Sequence, residues 1–316
     1  MTSVTHEHVS DAAQVVTQSV RDLFTKQVVL KIVLLTLAFV FFFWDFLYRQ
    51  TVISLEDPDW SHSLLIPVIS VYFIYARRQK LAAIHYRTFL PGILFVIAGM
   101  AGYVFFTLGP TYNHTLQGGM MVLALFGVVL TMLGVSAMRI FLLPVAYLLL
   151  GIKIGDRAMF YATTQLKLIA AKGAWILLNL TGVDTEQGGS VLTLTKNDGT
   201  QIPLDVAEAC SGMRMIVAFV ALGVAIAFIS CKRPWQRVVL VALAVPVAVF
   251  VNILRVATMG WLSLYDPNLA GGDIHILVGV LWLLPALAMY MGLVWVLNRI
   301  VITEPIRSMT EEEASH

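Results

Sequence analysis

Long apolar runs alternate with short polar segments along most of the chain. A helix needs about 20 apolar residues to cross a bilayer, and by that rule the pattern predicts about eight transmembrane helices. The runs cover, approximately, residues 28–48, 62–76, 90–109, 118–137, 139–153, 211–230, 236–262 and 274–298. The second and fifth runs are short, and each contains a proline, Pro67 and Pro144. The pattern therefore predicts an all-α polytopic membrane protein with one transmembrane domain, residues 28–300.

The loops between these runs differ in charge, and the difference predicts the topology. Basic residues follow the second, fourth, sixth and eighth runs: Arg77, Arg78, Lys80, Arg87, Arg139, Lys232, Arg233, Arg237, Arg299 and Arg307. The alternate loops, 50–61, 110–117 and 263–273, contain neither Lys nor Arg. Because positively charged loops stay in the cytoplasm, both terminal segments, 1–27 and 301–316, are predicted to be cytoplasmic in a multi-pass inner-membrane protein.

Composition agrees with a membrane protein and narrows the function. The 316 residues are 59% hydrophobic and 13% charged, whereas soluble domains carry about 25% charged residues. A net charge of +2 gives no sign of a nucleic-acid partner. The sequence has neither a metal-ligand spacing nor a nucleotide-binding loop, so we expect no metal and no cofactor.

One segment predicted to lie outside the cytoplasm is long, residues 155–206. Its first part, 155–180, mixes apolar residues with Lys167 and Lys172 in the pattern of an amphipathic helix. Such helices commonly lie in the membrane interface.

The second part of this segment predicts a β-hairpin. Two short alternating runs, 191–195 and 201–206, flank Asn197-Asp198-Gly199, which is a turn signal. Pro203 restricts the second run to an edge strand, because proline has no N–H for a neighbouring strand. We expect the hairpin and the preceding helix to form a lid beside Cys210, which follows directly.

Three polar residues are predicted to meet at the outer side of the membrane. Cys210 begins the sixth run, Arg255 lies about two turns before the end of the seventh, and His275 is in the first turn of the eighth. A helix N-terminus or a nearby cation favours the nucleophilic thiolate, and histidine is the usual proton carrier near neutral pH. An arginine in the bilayer costs at least about 2.5 kcal/mol and would stabilise an oxyanion. The set is typical of acyl transfer through a cysteine nucleophile.

Other interpretations of these residues stay open at this point. Cys210 could be a small buried apolar residue, and Arg255 could pair with Asp266 or Asp273. A multi-span protein could also be a transporter or a polysaccharide-assembly scaffold with no catalytic thiol. A disulfide between Cys210 and Cys231 is excluded, because the 21 helical steps between them span about 30 Å.

The motifs around the three residues resemble the exosortase/archaeosortase family of membrane proteins, which are regarded as transpeptidase-like cysteine enzymes. They are Ala209-Cys210-Ser211-Gly212, Asn252-Ile253-Leu254-Arg255 and His275-Ile276-Leu277-Val278-Gly279, in the family's order. Trp60–Pro67 also resembles an early family segment, with Ser63 in place of the usual glycine, and Gly189 fits the pattern ahead of the cysteine.

The resemblance implies Cys210 as nucleophile, His275 as general acid/base and Arg255 as transition-state stabiliser. Arg214 competes with Arg255 for that last role, and His62 is the second candidate for the base. Further candidates around the site are Glu208, to orient a partner, and Asn252, to orient Arg255.

The resemblance also implies the substrates. They are exported proteins with a C-terminal sorting signal of the PEP-CTERM type: a short motif, a hydrophobic helix and a basic cluster. Cleavage near the motif at the extracytoplasmic face would be followed by transfer to an unidentified acceptor, in cells that produce exopolysaccharide.

Overall fold

The computed structural model describes residues 26–84, 86–110, 112–206, 213–231, 233–267 and 272–300. The chain divides into two compact units, residues 1–160 and 161–316. The first holds α1 (Lys26–Phe42), α2 (Trp44–Glu56), α3 (Leu65–Ala76), α4 (Arg78–Ala82), α5 (Ile93–Leu108) and α6 (His114–Tyr147), with 3₁₀ turns at Pro58–Leu64, Leu90–Gly92 and Leu148–Gly151. Next come α7 (Asp156–Leu180), β1 (Thr185–Gly188), β2 (Val191–Thr195), β3 (Gln201–Asp205), α8 (Met213–Ser230), α9 (Pro234–Tyr265), α10 (Gly272–Leu281) and α11 (Leu283–Ile300).

The protein is a mostly helical, multi-pass membrane protein with a small three-stranded sheet. Within the described ranges, four helices are long and apolar enough to cross a bilayer: Leu90–Leu108, His114–Gly151, Pro234–Tyr265 and Leu277–Ile300. A fifth span results if Val29–Phe42 and Trp44–Glu56, bent by 74°, are counted as one. The predicted number of eight spans is therefore not confirmed.

Helix α6 reverses direction at Gly134, which has a left-handed φ of 81°. A straight helix of its 34 residues would be about 51 Å long, far more than the bilayer core of about 30 Å. Instead, Thr115 Oγ1 at its beginning donates a hydrogen bond to the carbonyl oxygen of Lys153, beyond its end, at 2.7 Å. The two arms are therefore antiparallel, and they divide the segment near the predicted boundary between 118–137 and 139–153.

The other predicted spans of the first unit are less regular. The run 28–48 is broken at Phe43, the residue between α1 and α2. The run 62–76 is a 3₁₀ turn followed by α3, which has only 12 residues.

Helix α5 lies antiparallel to the first arm of α6, where Gly99 faces the backbone of Ala124 and Gly127 faces that of Val96. These glycines allow the two helix backbones to approach closely.

In the second unit, α9 is the central helix. Helices α10 and α11 run antiparallel to it: Gln236 Nε2 donates to the carbonyl oxygen of Leu297 at 3.1 Å, and the Tyr290 hydroxyl donates to that of Leu240 at 2.9 Å. Helix α8 ends at Ser230, shortly before α9 begins at Pro234, and it packs against α9 around Phe219, Ala244 and Val251. The site described below lies toward the far end of this helix group.

Helix α7 and the sheet pack on the C-terminal half of α9. The helix has the predicted bounds almost to the residue, but its buried face is formed by Ala170, Ala171, Ala174 and Leu178, whereas Ile169 and Ile176 are exposed. Small side chains allow close contact, and Leu178 lies against Gly260 of α9. The prediction that α7 lies in the membrane interface stays a prediction.

The predicted hairpin is present as β2 and β3, antiparallel and joined through Lys196–Thr200. Within the turn between β2 and β3, Thr200 N–H donates a hydrogen bond to Asp198 Oδ1 at 2.9 Å, and this bond lowers the pKa of Asp198. In the same turn, Gly199 adopts a φ of 82°. The order is β1-β2-β3, so Pro203 lies on an edge strand as predicted. Strand β1 was not predicted. Leu192 and Leu194 are fully buried in the core shared with α7 and α9, so the sheet is an integral part of this unit.

Candidate active site around Arg255

Arg255 lies inside the second unit, in contact with a glycine. The side chain is only 8% exposed, and α9 continues for ten residues beyond it, about 15 Å, so it lies deeper than the predicted two turns from the helix end. A methyl group placed on Gly279 of α10 would lie 2.7 Å from Arg255 Nη2 and 2.9 Å from Cζ. The guanidinium therefore occupies the space that the missing side chain leaves.

His275 shares a helix with Gly279. Its backbone lies in the first turn of α10, four residues before Gly279, which is one turn away on the same helix face. The backbone of His275 is therefore about 6 Å along the helix from the residue that contacts the guanidinium. Its side chain lies outside the described part of the structure.

The chain on both sides of Cys210 reaches the same level of α9. Because α8 and α9 are antiparallel, Met213 at the start of the 18-residue helix α8 lies level with the eighteenth residue of α9, close to Asn252 and Arg255. Met215 shares a buried cluster with Val251. On the other side, Val206 is 1% exposed and shares a cluster with Val256 and Val278, the direct neighbours of Arg255 and Gly279.

Cys210 itself and Glu208 lie outside the described residues. The covalent chain nevertheless limits the position of the cysteine: it is four residues from Val206 and three from Met213, so its Cα lies within about 14 Å of the first and about 11 Å of the second. The backbone of Arg214 is described at the start of α8, but its side chain is not.

Asn252 lies three residues before Arg255 on α9, on the same helix face. It is 2% exposed, so both polar side chains are buried within the helix group. Pairing of Arg255 with Asp266 is excluded, because Asp266 caps the end of α9, eleven residues or about 16 Å further along the axis. The alternative partner Asp273 lies among residues whose side chains are not described.

His62 belongs to the first unit, whereas Arg255 and the chain around Cys210 belong to the second. It lies in the 3₁₀ turn after α2, with its ring 5.7 Å from that of the buried Trp60. Burial lowers the pKa of His62, and this effect outweighs the backbone hydrogen bonds at Leu150 and Asp59, which raise the pKa.

The sequence did not predict the contact between Gly279 and Arg255. In the described parts of the chain, no group of three His, Cys, Asp or Glu side chains could hold a metal ion.

A comparison with known protein families finds a match to this chain. The family model described as transmembrane exosortase (Exosortase_EpsH) matches residues 48–292, well over half of the chain and parts of both compact units. Among curated proteins and among solved structures, none matches the chain.

Proposed function

The chain belongs to the transmembrane exosortase family, and on this premise we propose that it processes exported proteins through the thiol of Cys210. Family membership by itself suggests a membrane transpeptidase or protease. The observation that supports the finer proposal is the buried contact of Arg255 with Gly279. This contact lies at the same height along α9 as Val206 and Met213, the described residues on either side of Cys210. Burying the charge of an arginine inside a membrane helix group costs free energy. Stabilisation of the oxyanion that develops during the reaction would explain why the arginine is there.

In the proposed reaction, the Cys210 thiolate attacks the carbonyl carbon of the scissile peptide bond. Arg255, or Arg214, stabilises the oxyanion of the tetrahedral intermediate. The C–N bond then breaks, the leaving amine takes a proton from His275, and a thioester to Cys210 remains. An acceptor nucleophile or water gives its proton to His275, attacks the thioester and restores the thiolate. No cofactor takes part in these steps.

The proposed substrates are proteins with a C-terminal sorting signal: a short motif, a hydrophobic helix and a basic cluster. In the predicted topology, the helix of the signal would lie in the lipid beside this protein with its basic cluster in the cytoplasm. The short motif would then reach the extracytoplasmic face of the inner membrane, where the topology also puts Cys210. The acceptor is proposed only as a nucleophile of unspecified identity.

The test follows a reporter protein that carries a candidate sorting signal, co-expressed with wild type, Cys210→Ala or Cys210→Ser. We expect wild type to shorten the reporter and both variants to lose processing completely while remaining in the membrane. Cys231→Ala is the matched control, because the Cys231 thiol is buried at the opposite end of α8. We expect this variant to process the reporter normally. Processing by both Cys210 variants at the wild-type rate would instead favour a transporter or scaffold.

A further inference from the structure

The three-stranded sheet has two edges, and the hydrogen-bond register shows which backbone groups each edge presents. Lys196 N–H donates to the carbonyl oxygen of Thr200, and Val206 N–H donates to that of Ser190. Hydrogen-bonded pairs alternate with unbonded pairs in an antiparallel ladder, so Ile202 and Leu204 of β3 bond to β2. The backbone groups of Gln201, Pro203 and Asp205 therefore point away from the sheet.

The edge formed by β1 is covered by α7 at Thr185. Thr195 N–H donates to the carbonyl oxygen of Asp184, so by the same alternation the backbone of Thr185 points outward. Its carbonyl oxygen accepts hydrogen bonds from Trp175 Nε1 at 2.8 Å and Asn179 Nδ2 at 3.1 Å. Proteins commonly cover an exposed sheet edge in this way, because it would otherwise pair with another strand.

The edge formed by β3 has a different environment. The outward backbone groups of Gln201, Pro203 and Asp205 make no hydrogen bond to any described residue, and all three residues are exposed. Pro203 removes only one of the three outward N–H groups and leaves every outward carbonyl. The strand ends at Asp205, five residues before Cys210, a distance of at most about 17 Å.

We propose that the sorting motif of the substrate binds in extended form as a fourth strand along the outer edge of β3. Backbone pairing of this kind holds a peptide whatever its side chains and presents an extended bond for attack. The direction of β3 leads the bound motif toward Cys210. This inference rests on the proposed function, because it names the place where the substrate of that reaction is held.

The first test is photo-cross-linking in the Cys210→Ala protein, in which an uncleaved substrate would remain bound. A photo-reactive amino acid replaces Gln201 on the β3 edge or, as the matched control, Glu186 on the β1 edge. Both residues are exposed on the same face of the sheet, about 12 Å apart, since they are separated by two strand spacings across the sheet and two residues along it. We expect the reporter's motif to cross-link at least fivefold more from position 201. Equal cross-linking, or more from position 186, would overturn the inference.

The second test removes a single outward N–H group. Asp205→Pro deletes this donor, Asp205→Ala keeps it, and Gln187→Pro deletes an outward N–H on the β1 edge. We expect Asp205→Pro to lower processing about threefold to tenfold at low substrate concentration, the effect of one hydrogen bond, and the two controls to stay near wild type. If Asp205→Pro fails to fold, the cross-linking result alone decides.

The two proposals fail in different ways. If wild type shortens the reporter but position 201 gives no preferential cross-link, the edge of β3 is not the binding site and the proposed function stands. If wild type does not shorten any reporter with a sorting signal, the proposed function itself is wrong.

Discussion

At the scale of single residues, the arrangement of Arg255 depends on a side chain that is absent. The guanidinium lies where a β-carbon on Gly279 would be. Positions close to reacting atoms are sensitive, since a displacement of about 1 Å can cost about 10²-fold in rate. We therefore expect Gly279 to be a positioning residue in the proposed reaction, one that acts through Arg255.

We predict that Gly279→Ala lowers reporter processing by about 10²-fold, because the new methyl group pushes the guanidinium away. Gly292→Ala in α11 is the matched control, since a β-carbon there meets nothing within 4 Å, and it should process normally. The measurement is the initial rate of reporter shortening at equal amounts of inserted protein.

A double variant separates positioning from general damage. If Gly279 acts only through Arg255, then Gly279→Ala combined with Arg255→Ala should be no slower than Arg255→Ala alone. A double variant that is slower by the full product of the two single effects would contradict the positioning role.

The sequence indicated the residue types of this site but not the contact that organises it. An arginine deep in an apolar run and a histidine at the start of the next are visible in the chain, because charges are rare there. The sequence does not show the role of Gly279, because a glycine in an apolar helix allows many different groups to pack closely against it. Only the antiparallel packing of α9 and α10 identifies its neighbour as Arg255.

At the scale of secondary-structure elements, the reversal of α6 depends on the left-handed backbone at Gly134. A β-carbon at this position would collide with the carbonyl oxygen of Arg87, and the conformation itself is unfavourable for residues other than glycine. Conformations of this kind cost about 1–3 kcal/mol each.

We predict that Gly134→Ala destabilises the protein by about 1–3 kcal/mol, measured as a lower midpoint of thermal unfolding in detergent. Gly119→Ala in the same helix is the control, because its β-carbon meets nothing within 4 Å and alanine is the better helix former. Equal midpoints for the two variants would show that the reversal does not require glycine.

The sequence predicted some elements well and others poorly, for identifiable reasons. The turn residues and strict alternation gave β2 and β3, and the mixed pattern gave α7 almost to the residue. Strand β1, Thr-Glu-Gln-Gly, was missed because three of its four residues are exposed, so it lacks an apolar alternation.

At the scale of the whole molecule, the loops of the first compact unit are grouped in a way that agrees with the charge pattern. In the first unit, loops 50–61 and 110–117 contain no Lys or Arg, and the residues at their edges meet: Gln50 Oε1 lies 2.8 Å from His114 Nε2, and Arg49 Nη1 donates to the Tyr112 hydroxyl at 2.7 Å. At the other end of that unit, basic Arg87 lies beside the reversal at Gly134. The positive-inside rule then predicts one orientation for each unit independently.

The last prediction tests whether these orientations are right and the same. Single cysteines are introduced in a protein carrying Cys210→Ala and Cys231→Ala, at the exposed positions Gln79, Tyr112 and Asn197. Tyr112→Cys and Asn197→Cys should react with a membrane-impermeant maleimide in intact spheroplasts, because the topology puts both loops outside the cytoplasm. Gln79→Cys should react only after permeabilisation. Labelling of positions 112 and 197 from opposite sides would mean that the two units do not share the orientation that the basic loops predict. Two arrangements would give that result. If position 197 is cytoplasmic, the hairpin and the chain leading to Cys210 face the cytoplasm, and processing at the extracytoplasmic face is ruled out. If position 112 is cytoplasmic, the first unit is inverted, and processing at the extracytoplasmic face is still possible.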